Sequence, residues 1–595
     1  QIVGLIGKDS LWKLALGNRI KLDDGHPKAS AADERMVLNR QRISITSNHR
    51  GMAELVGKGS LRKLALMNGN VVTVDDAHPK AQAVYALKGV ITKVGSNDEV
   101  KALIDEETEV IDLKGKTLVP GFIDCHAHPM GFGQSLTRVA CGTPPINSIK
   151  EIVENVRRAA AEKRPGEWIV GRGYDDFKLV EKRHPNKWDL DEAASENPVV
   201  ITRMCGHVSV VNSCALNLAG ITKDTKDPEL GRIDRDPETG EPTGVLRGPA
   251  QGLVRRLIPP ATTQDLRKAI NLASQQFLAR GVTSVSDAGV GNAETVKAYL
   301  AAIKEDGMAL RINMMMSLNT LQELVKLGLS TGFGDAKIRI GALKIVLDGS
   351  TTGRTAAVSE PYLDTPANTG ILYLNLEEFN KSVLEAHRAG FQVGVHAIGD
   401  RAITTVLDAY EAALKELPKR DHRHRIEHCG ICNPAIVARI KALGVIPMPQ
   451  PIFLYGEGES YRAGLGENRV KWAYPMKSWL EVGIKTPMSS DCPATSGAEL
   501  ISPLLGIYVA VTRKTDADKE IGPEQKISIY EALKAYTLGS AYACFEEDLK
   551  GSIEPGKLAD FAVLAEDPLT TPPERVKDIA VNMTVIDGRV VYKKP

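Results

Sequence analysis

Six residues of this chain are of types that could bind metal or transfer a proton, and each sits at or near the end of an apolar run. His126 and His128 close the stretch Leu118-Val119-Pro120-Gly121-Phe122-Ile123-Asp124-Cys125-His126-Ala127-His128. In a strand, alternate side chains share a face, so the two imidazoles point the same way, and imidazoles side by side can hold a divalent metal. Lys344 lies within Leu343-Lys344-Ile345, where an unpaired ammonium among apolar neighbours is costly. His396 follows Val393-Gly394-Val395, His428 follows Arg425-Ile426-Glu427, and Asp491 follows Pro487-Met488-Ser489-Ser490. Each has an ordinary structural role open to it: a strand-end histidine satisfies a backbone carbonyl, and Asp491 caps the next helix. For all six to be ordinary, the same coincidence must recur on strand after strand.

The elements that position them follow from the pattern. Candidate strands end at His128, Asp287, Ser317, Asp348, His396, His428, Gln450 and Asp491, with helical periodicity between most of them, as in Leu376–Ala389, Ala402–Leu417 and Pro434–Leu443. Strands alternating with helices in this number predict an α/β fold, a (β/α)8 TIM barrel whose site lies at the carboxyl ends of the strands. The gap between the first two strands is too long for one helix, so residues 140–260 are expected to be an inserted cap within a barrel spanning 118–550. Short β-rich runs flank the barrel, at Val71–Val74, Ala83–Leu87, Val90–Val94, Glu109–Leu113, Asp560–Leu564 and Val581–Tyr592. They predict a small β-sandwich domain built from both ends, residues 56–117 and 551–595.

Residues 1–55 form an extension with a partial duplication. Leu5-Ile6-Gly7-Lys8-Asp9-Ser10-Leu11 returns as Leu55-Val56-Gly57-Lys58-Gly59-Ser60-Leu61, and His26-Pro27-Lys28-Ala29 returns as His78-Pro79-Lys80-Ala81. One imperfect copy is not a solenoid, which needs several stacked repeats.

Composition narrows the partners. The 595 residues are 43% hydrophobic and 25% charged with a net charge of +1, which gives no reason to expect nucleic acid or an anionic membrane. No stretch approaches the ~20 apolar residues of a membrane span, and Gln1–Lys8 does not read as a secretory signal. Eight scattered cysteines do not suggest a disulfide framework, so a cytoplasmic protein with reduced thiols and a small-molecule substrate is expected.

The chain from about Leu64 onward resembles the amidohydrolase superfamily, and within it the YtcJ-like branch that includes N-substituted formamide deformylases. The resemblance rests on Pro120-Gly121-Phe122-Ile123-Asp124-Cys125-His126-Ala127-His128, Lys344-Ile345-Val346-Leu347-Asp348-Gly349-Ser350, His396-Ala397-Ile398-Gly399-Asp400-Arg401-Ala402, Arg425-Ile426-Glu427-His428, Ser490-Asp491 and Gly551-Ser552-Ile553-Glu554-Pro555-Gly556-Lys557-Leu558-Ala559-Asp560. It implies Zn2+ or another divalent metal, one or two ions, with His126 and His128 on the more buried ion and His396 and His428 on the second. Asp491 would bind metal and take a proton from the attacking water. Lys344 stands where many relatives carry a carboxylated lysine bridging two metals; an unmodified Lys344 would instead donate a hydrogen bond to substrate. His207 and Asn212 match the family's Gly-His…Asn stretch, His207 serving either as a donor to the developing oxyanion or as a packing residue of the cap. Asp348, Arg354 and Arg401 are candidate substrate contacts or supports of the site. Relatives often form dimers, so a homodimer is also implied.

The chemistry expected is hydrolysis of an amide-type C–N bond in an N-acyl, formamide or carbamate substrate. Zn2+ lowers the pKa of bound water from 15.7 towards about 7, and Asp491 would shuttle the proton to the leaving amine. The same ligands suit ester or lactone hydrolysis and ring deamination, and a scaffold-like relative without catalysis is the alternative from another class. Cys125, Cys205 and Cys492 adjoin site motifs, as ligands or as small buried hydrophobes. Cys429-Gly430-Ile431-Cys432 has redox or zinc spacing but follows a strand end, where packing is the simpler role. Tyr362, Phe453, Tyr455 and Trp479 are candidates for lining the pocket or for the core.

Overall fold

The structure is a computed structural model that describes residues 62–142, 145–203, 208–229, 231–493 and 501–595. The amino-terminal extension, the first copy of its repeat, Cys205 and His207 lie outside the described residues.

Seven parallel strands form the barrel wall: β1 (Phe122–Ala127), β2 (Val282–Val290), β3 (Arg311–Ser317), β4 (Ile338–Val346), β5 (Val393–Ala397), β6 (Arg425–His428) and β7 (Ile446–Met448). They are hydrogen-bonded in chain order. The eighth segment, Thr486–Asp491, has no regular ladder. It closes the barrel through side chains instead. Gln450 Nε2, beyond β7, donates to Ser489 Oγ at 2.9 Å, and Ser490 donates from Oγ and N to the Asp124 carboxylate of β1 at 2.5 and 3.1 Å. The Asp491 amide completes the seam on the His126 carbonyl at 2.8 Å. The structure is the TIM barrel predicted, with β2 running three residues past Asp287 and the last strand irregular.

Helices Leu376–Arg388, Asp400–Glu416 and Pro434–Leu443 pack outside the wall. Their buried residues recur at helical spacing, as in Phe379, Val383 and Ala386, and join the strands in one core. The barrel interior is different. β6 alternates Arg425 and Glu427 inward, and both are fully buried. Gly394 of β5 leaves the room for Glu427: a Cβ there would lie 2.6 Å from Glu427 Oε1.

Both chain ends build the β-sandwich. One sheet runs Val90–Gly95, Ala83–Leu87, Lys63–Met67, Thr108–Asp112; the other runs Arg589–Lys593, Val581–Ile586, Phe561–Leu564, Thr117–Pro120, Asn70–Val72, Lys80–Ala81. Phe561–Leu564 pairs antiparallel with Thr117–Pro120, and Leu64, Leu66, Val84, Leu118, Phe561 and Val585 share the core between the sheets. The run 581–592 is a hairpin rather than one strand. Asp587 and Gly588 both take positive φ, 51° and 65°, the turn geometry that Asp-Gly favours. The insert between β1 and β2 contains a six-stranded mixed sheet, Val139–Ala140 to Pro242–Arg247, with helix Ile149–Ala161 sharing a core with it.

Candidate metal centre and its relatives

His126 ends β1 on the interior face and His128 follows as the residue that starts helix Pro129–Leu136. Asp491 reaches them from the eighth segment. His126 Nε2 lies 3.3 Å and His128 Nε2 3.2 Å from Asp491 Oδ1. Yet Asp491 Oδ1 is buried and neither approach is a hydrogen bond. Ligand atoms of the three residues all fall within 4.8 Å of one another. The three groups converge on one point, and the set His–His–Asp suits a divalent metal.

The tautomers agree. His126 Nδ1–H donates to Glu427 Oε2, which leaves Nε2 as a lone pair directed at Asp491. Glu427 is held in turn by Arg425, Nε to Oε1 at 2.7 Å and Nη2 to Oε2 at 2.8 Å. Burial opposes ionisation of Glu427, but Arg425 and then His126 keep its carboxyl below the usual range. His428 Nδ1–H donates to Gln450 Oε1 at 2.7 Å, because Gln450 Nε2 is spent on Met448 O and Ser489 Oγ; its Nε2 is therefore free. His396 Nε2–H donates to Gly349 O at 3.1 Å, which frees Nδ1. The His396 and His428 rings lie 4.2 Å apart, and His428 lies 4.9 Å from His126.

Lys344 lies between these groups, its Nζ 3.2 Å from His126 Nε2. Burial lowers its pKa, against Glu427 and Asp491. Burial, then the Lys344 charge, pushes His396 down to about 3, and burial with His396 puts His428 well below its ordinary value. Both are neutral imidazoles at physiological pH, the form that ligates metal. Burial opposes ionisation of Asp491, but His126 and His128 hold it well below the carboxylate range. Burial acts to lower the His128 pKa, yet Asp491 raises it. His128 is 40% exposed while His126 is fully buried, so the centre opens to solvent past His128.

Two of these residues sit in the left-handed backbone region: His428 at φ 69° and Asp491 at φ 55°. The turn at His428 brings its ring into the mouth beside Glu427, its immediate chain neighbour. Such conformations cost of order 1–3 kcal/mol and gather at functional sites.

The remaining candidates are bonded elsewhere. Asp348 accepts from the amides of Ala357, Ile398 and Gly399 at 2.9–3.0 Å and stands 3.5 Å from His396 Nε2; burial pushes its carboxyl up to about 7. Arg354 pairs with Asp364 and reaches Ser460, and Arg401 donates to Thr369 O and Gly370 O. Asn212 is fully buried in the insert, where it accepts from Val199 N and Ala215 N and donates to Ala194 O and Asn197 O. Of the aromatic candidates, Phe453 stacks on His428 with centroids 6.0 Å apart; Tyr362 and Trp479 are fully buried, and Tyr455 packs on Tyr508. Cys125 donates to Met488 O at 3.4 Å, facing away from His126 along the strand. Cys429 and Cys432 are buried, their sulfurs 3.2 Å apart.

Sequence reasoning left Glu427, Arg425 and Gln450 without roles. The signal available was a charged pair at alternate positions of an otherwise apolar strand, Arg425-Ile426-Glu427, which a barrel interior accepts only when the charges pair.

The profile described as the amidohydrolase family matches residues 109–592. YtcJ of Bacillus subtilis (strain 168), named as an amidohydrolase, is 31% identical over 88% of this chain and 98% of its own length. The N-substituted formamide deformylase of Arthrobacter pascens is 31% identical over 90% of this chain and 99% of its own. Among solved structures, an uncharacterized metal-dependent hydrolase from Pyrococcus horikoshii OT3 superposes with a TM-score of 0.72 at 28% identity, covering 86% of this chain and 99% of that one. Among the described residues no helix is long and apolar enough to cross a membrane. The chain belongs to the amidohydrolase family.

Proposed function

We propose that this protein hydrolyses an amide-type C–N bond, in an N-acyl, formamide or carbamate substrate, at a centre holding one or two Zn2+ ions. The observation that carries the reading is the convergence of His126 Nε2 and His128 Nε2 on the orphaned Asp491 Oδ1. His126, His128 and Asp491 would hold one ion; His396 Nδ1 and His428 Nε2 would hold the second. A divalent ion supplies Lewis acidity, acidifying water and polarising a carbonyl. The relative at 31% identity named for formamide deformylation supports the choice of C–N bond.

The chain's own residues do the rest. Asp491, anionic and aimed into the centre, takes the proton of the attacking water on a carboxylate oxygen and returns it to the leaving nitrogen. Glu427 fixes the ring of His126, and Gln450 fixes that of His428. Asp348 positions His396 by tying its strand end to the loop at Ala357. Lys344 would supply an anionic oxygen ligand if carboxylated: burial acts towards its neutral amine, the form that adds to CO2 with loss of one proton to give a carbamate.

Purified protein reconstituted with Zn2+ should turn over members of a panel of N-formyl amines, N-acyl amines, carbamates, esters and lactones, with the C–N substrates preferred. Native mass spectrometry should find the mass of one added CO2 that Lys344→Arg removes. Preference for esters would move the assignment to that class, and no turnover by the metal-loaded protein would leave a scaffold-like relative.

A further inference from the structure

Helix Phe453–Val470 begins beside the centre, just past β7. Phe453, Glu457 and Tyr461 are spaced by four and share one helical face. Both outer members are buried in one hydrophobic cluster, and Phe453 borders the centre. Phe453 stacks on the His428 ring with an interplanar angle of 19°. The Tyr461 hydroxyl lies 3.0 Å from that of Tyr474, and Tyr474 in turn meets Phe453 edge-on at 6.5 Å. Glu457, between them, is carried on the same face and is partly exposed. Its carboxylate has no ion pair and no hydrogen bond among the described residues. Burial, then the Asp491 carboxylate, pushes it up to about 7. It is an acid one helical turn from the residue stacked on His428, with no positive partner among the described residues.

A half-buried carboxylate without a partner costs stability. An ammonium placed against it would form a charge-assisted hydrogen bond. An anionic group there would meet the Glu457 carboxylate. We propose that Glu457 is a specificity-determining residue that binds a cationic nitrogen, a protonated amine or amidine, carried by the substrate on the side facing this helix. The inference rests on the reading of the centre as a C–N hydrolase, and it narrows the substrate class to N-acyl compounds bearing a second, basic nitrogen.

The test uses the full chain loaded with Zn2+ and two matched series: N-formyl-diaminoalkanes, which end in an ammonium, and N-formyl-alkylamines of equal length, which end in a methyl group. The wild type should favour the ammonium series in kcat/KM by about 10- to 100-fold, the range of one hydrogen bond to a charged group. Glu457→Gln should abolish that preference, mainly through KM on the ammonium series; Glu457→Asp should restore part of it. An unaltered preference in Glu457→Gln, or an equal loss on both series, overturns the proposal. Calorimetric binding of the N-methanesulfonyl analogues, which resist hydrolysis, separates this from failure of the hydrolase reading. If no compound turns over, ammonium-dependent binding that Glu457→Gln abolishes still supports the site, and binding equal in both proteins overturns it.

Discussion

Glu427 receives the Nδ1–H of His126 on one side and the Arg425 guanidinium on the other, so loss of its charge acts twice. Without it the His126 tautomer is no longer fixed, and Zn2+ affinity should fall about 10- to 100-fold in Glu427→Gln, as for other residues that orient a ligand. Arg425, fully buried, is left short of a counter-charge, at a cost of about 3–5 kcal/mol. A zinc titration and a thermal unfolding scan read the two effects; wild-type values in both would contradict the role assigned to Glu427. At this scale the sequence was partly legible. Metal-ligand types at strand ends were visible without coordinates, because spacing and strand alternation place them. Glu427 was not: it lies 301 residues from His126 in the chain, and no local pattern links residues across a barrel. Gln450 and Glu457 were hidden for the same reason, and the left-handed turn that swings His428 inward leaves no mark on its residue type.

Among elements, the loop after β4 and the start of helix Asp400–Glu416 are held by one carboxylate, Asp348, and by close backbone contact. Gly399 permits that contact, since a Cβ on it would lie 1.9 Å from the Ala357 carbonyl oxygen. Gly399→Ala should force the loop away and draw His396, three residues earlier, out of line. The expected outcome is a destabilisation of about 1–3 kcal/mol, typical of overpacking, with activity lost by more than the unfolding accounts for. Thermal unfolding and kcat measured together check it, and unchanged kcat would contradict the coupling. The helices were legible to within two residues because their apolar periodicity is plain, as in Pro434–Leu443. The eighth barrel strand was legible only as position. Its irregular course, with Ser489 and Ser490 replacing ladder bonds by side-chain bonds, does not follow from the run Pro487-Met488-Ser489. The hairpin at Asp587-Gly588 was in plain view as a turn dipeptide inside an apolar run.

For the whole molecule, the sandwich and the barrel are joined by Arg311 of β3, which donates to Asp560 at 2.7 and 2.9 Å and to Asp587 at 2.5 Å. Arg311→Ala leaves Asp560 buried and unpaired and should cost about 3–5 kcal/mol, read as a lowered Tm; an unchanged Tm would contradict the joint. A second effect is pH-dependent. His387, His422 and His424 form a buried cluster in which His424 Nδ1 accepts from Val393 N, His424 Nε2–H donates to His387 Nδ1, and His387 Nε2–H donates to Leu417 O. Burial lowers His422 against its bond to the Leu443 carbonyl, and burial, then His422 and His387, holds His424 well below its ordinary value. The unfolded chain therefore binds protons that the folded chain refuses, once pH drops below about 6.5. Stability from this cluster is complete above that pH and is lost as pH falls, by up to about 1.4 kcal/mol per unit for each histidine. The Tm should decline between pH 7 and pH 5, and the decline should shrink in His424→Gln; equal declines would contradict it. The overall plan, a barrel with both chain ends in one small β domain, was legible from strand count and composition. The six-stranded sheet of the insert was not, since its strands pair with one another and only the length of the gap announced it.

The central claim is that His126, His128 and Asp491 hold a metal. Its most direct test is equilibrium zinc binding by metal-stripped protein, wild type against His128→Ala and Asp491→Ala, with the bound ion counted after gel filtration. At least one ion should be retained per wild-type chain, and either substitution should weaken that binding by about 100-fold or more, beyond what loss of a residue outside the ligand set produces. Equal zinc retention by the three proteins, or none by any of them, would contradict the account.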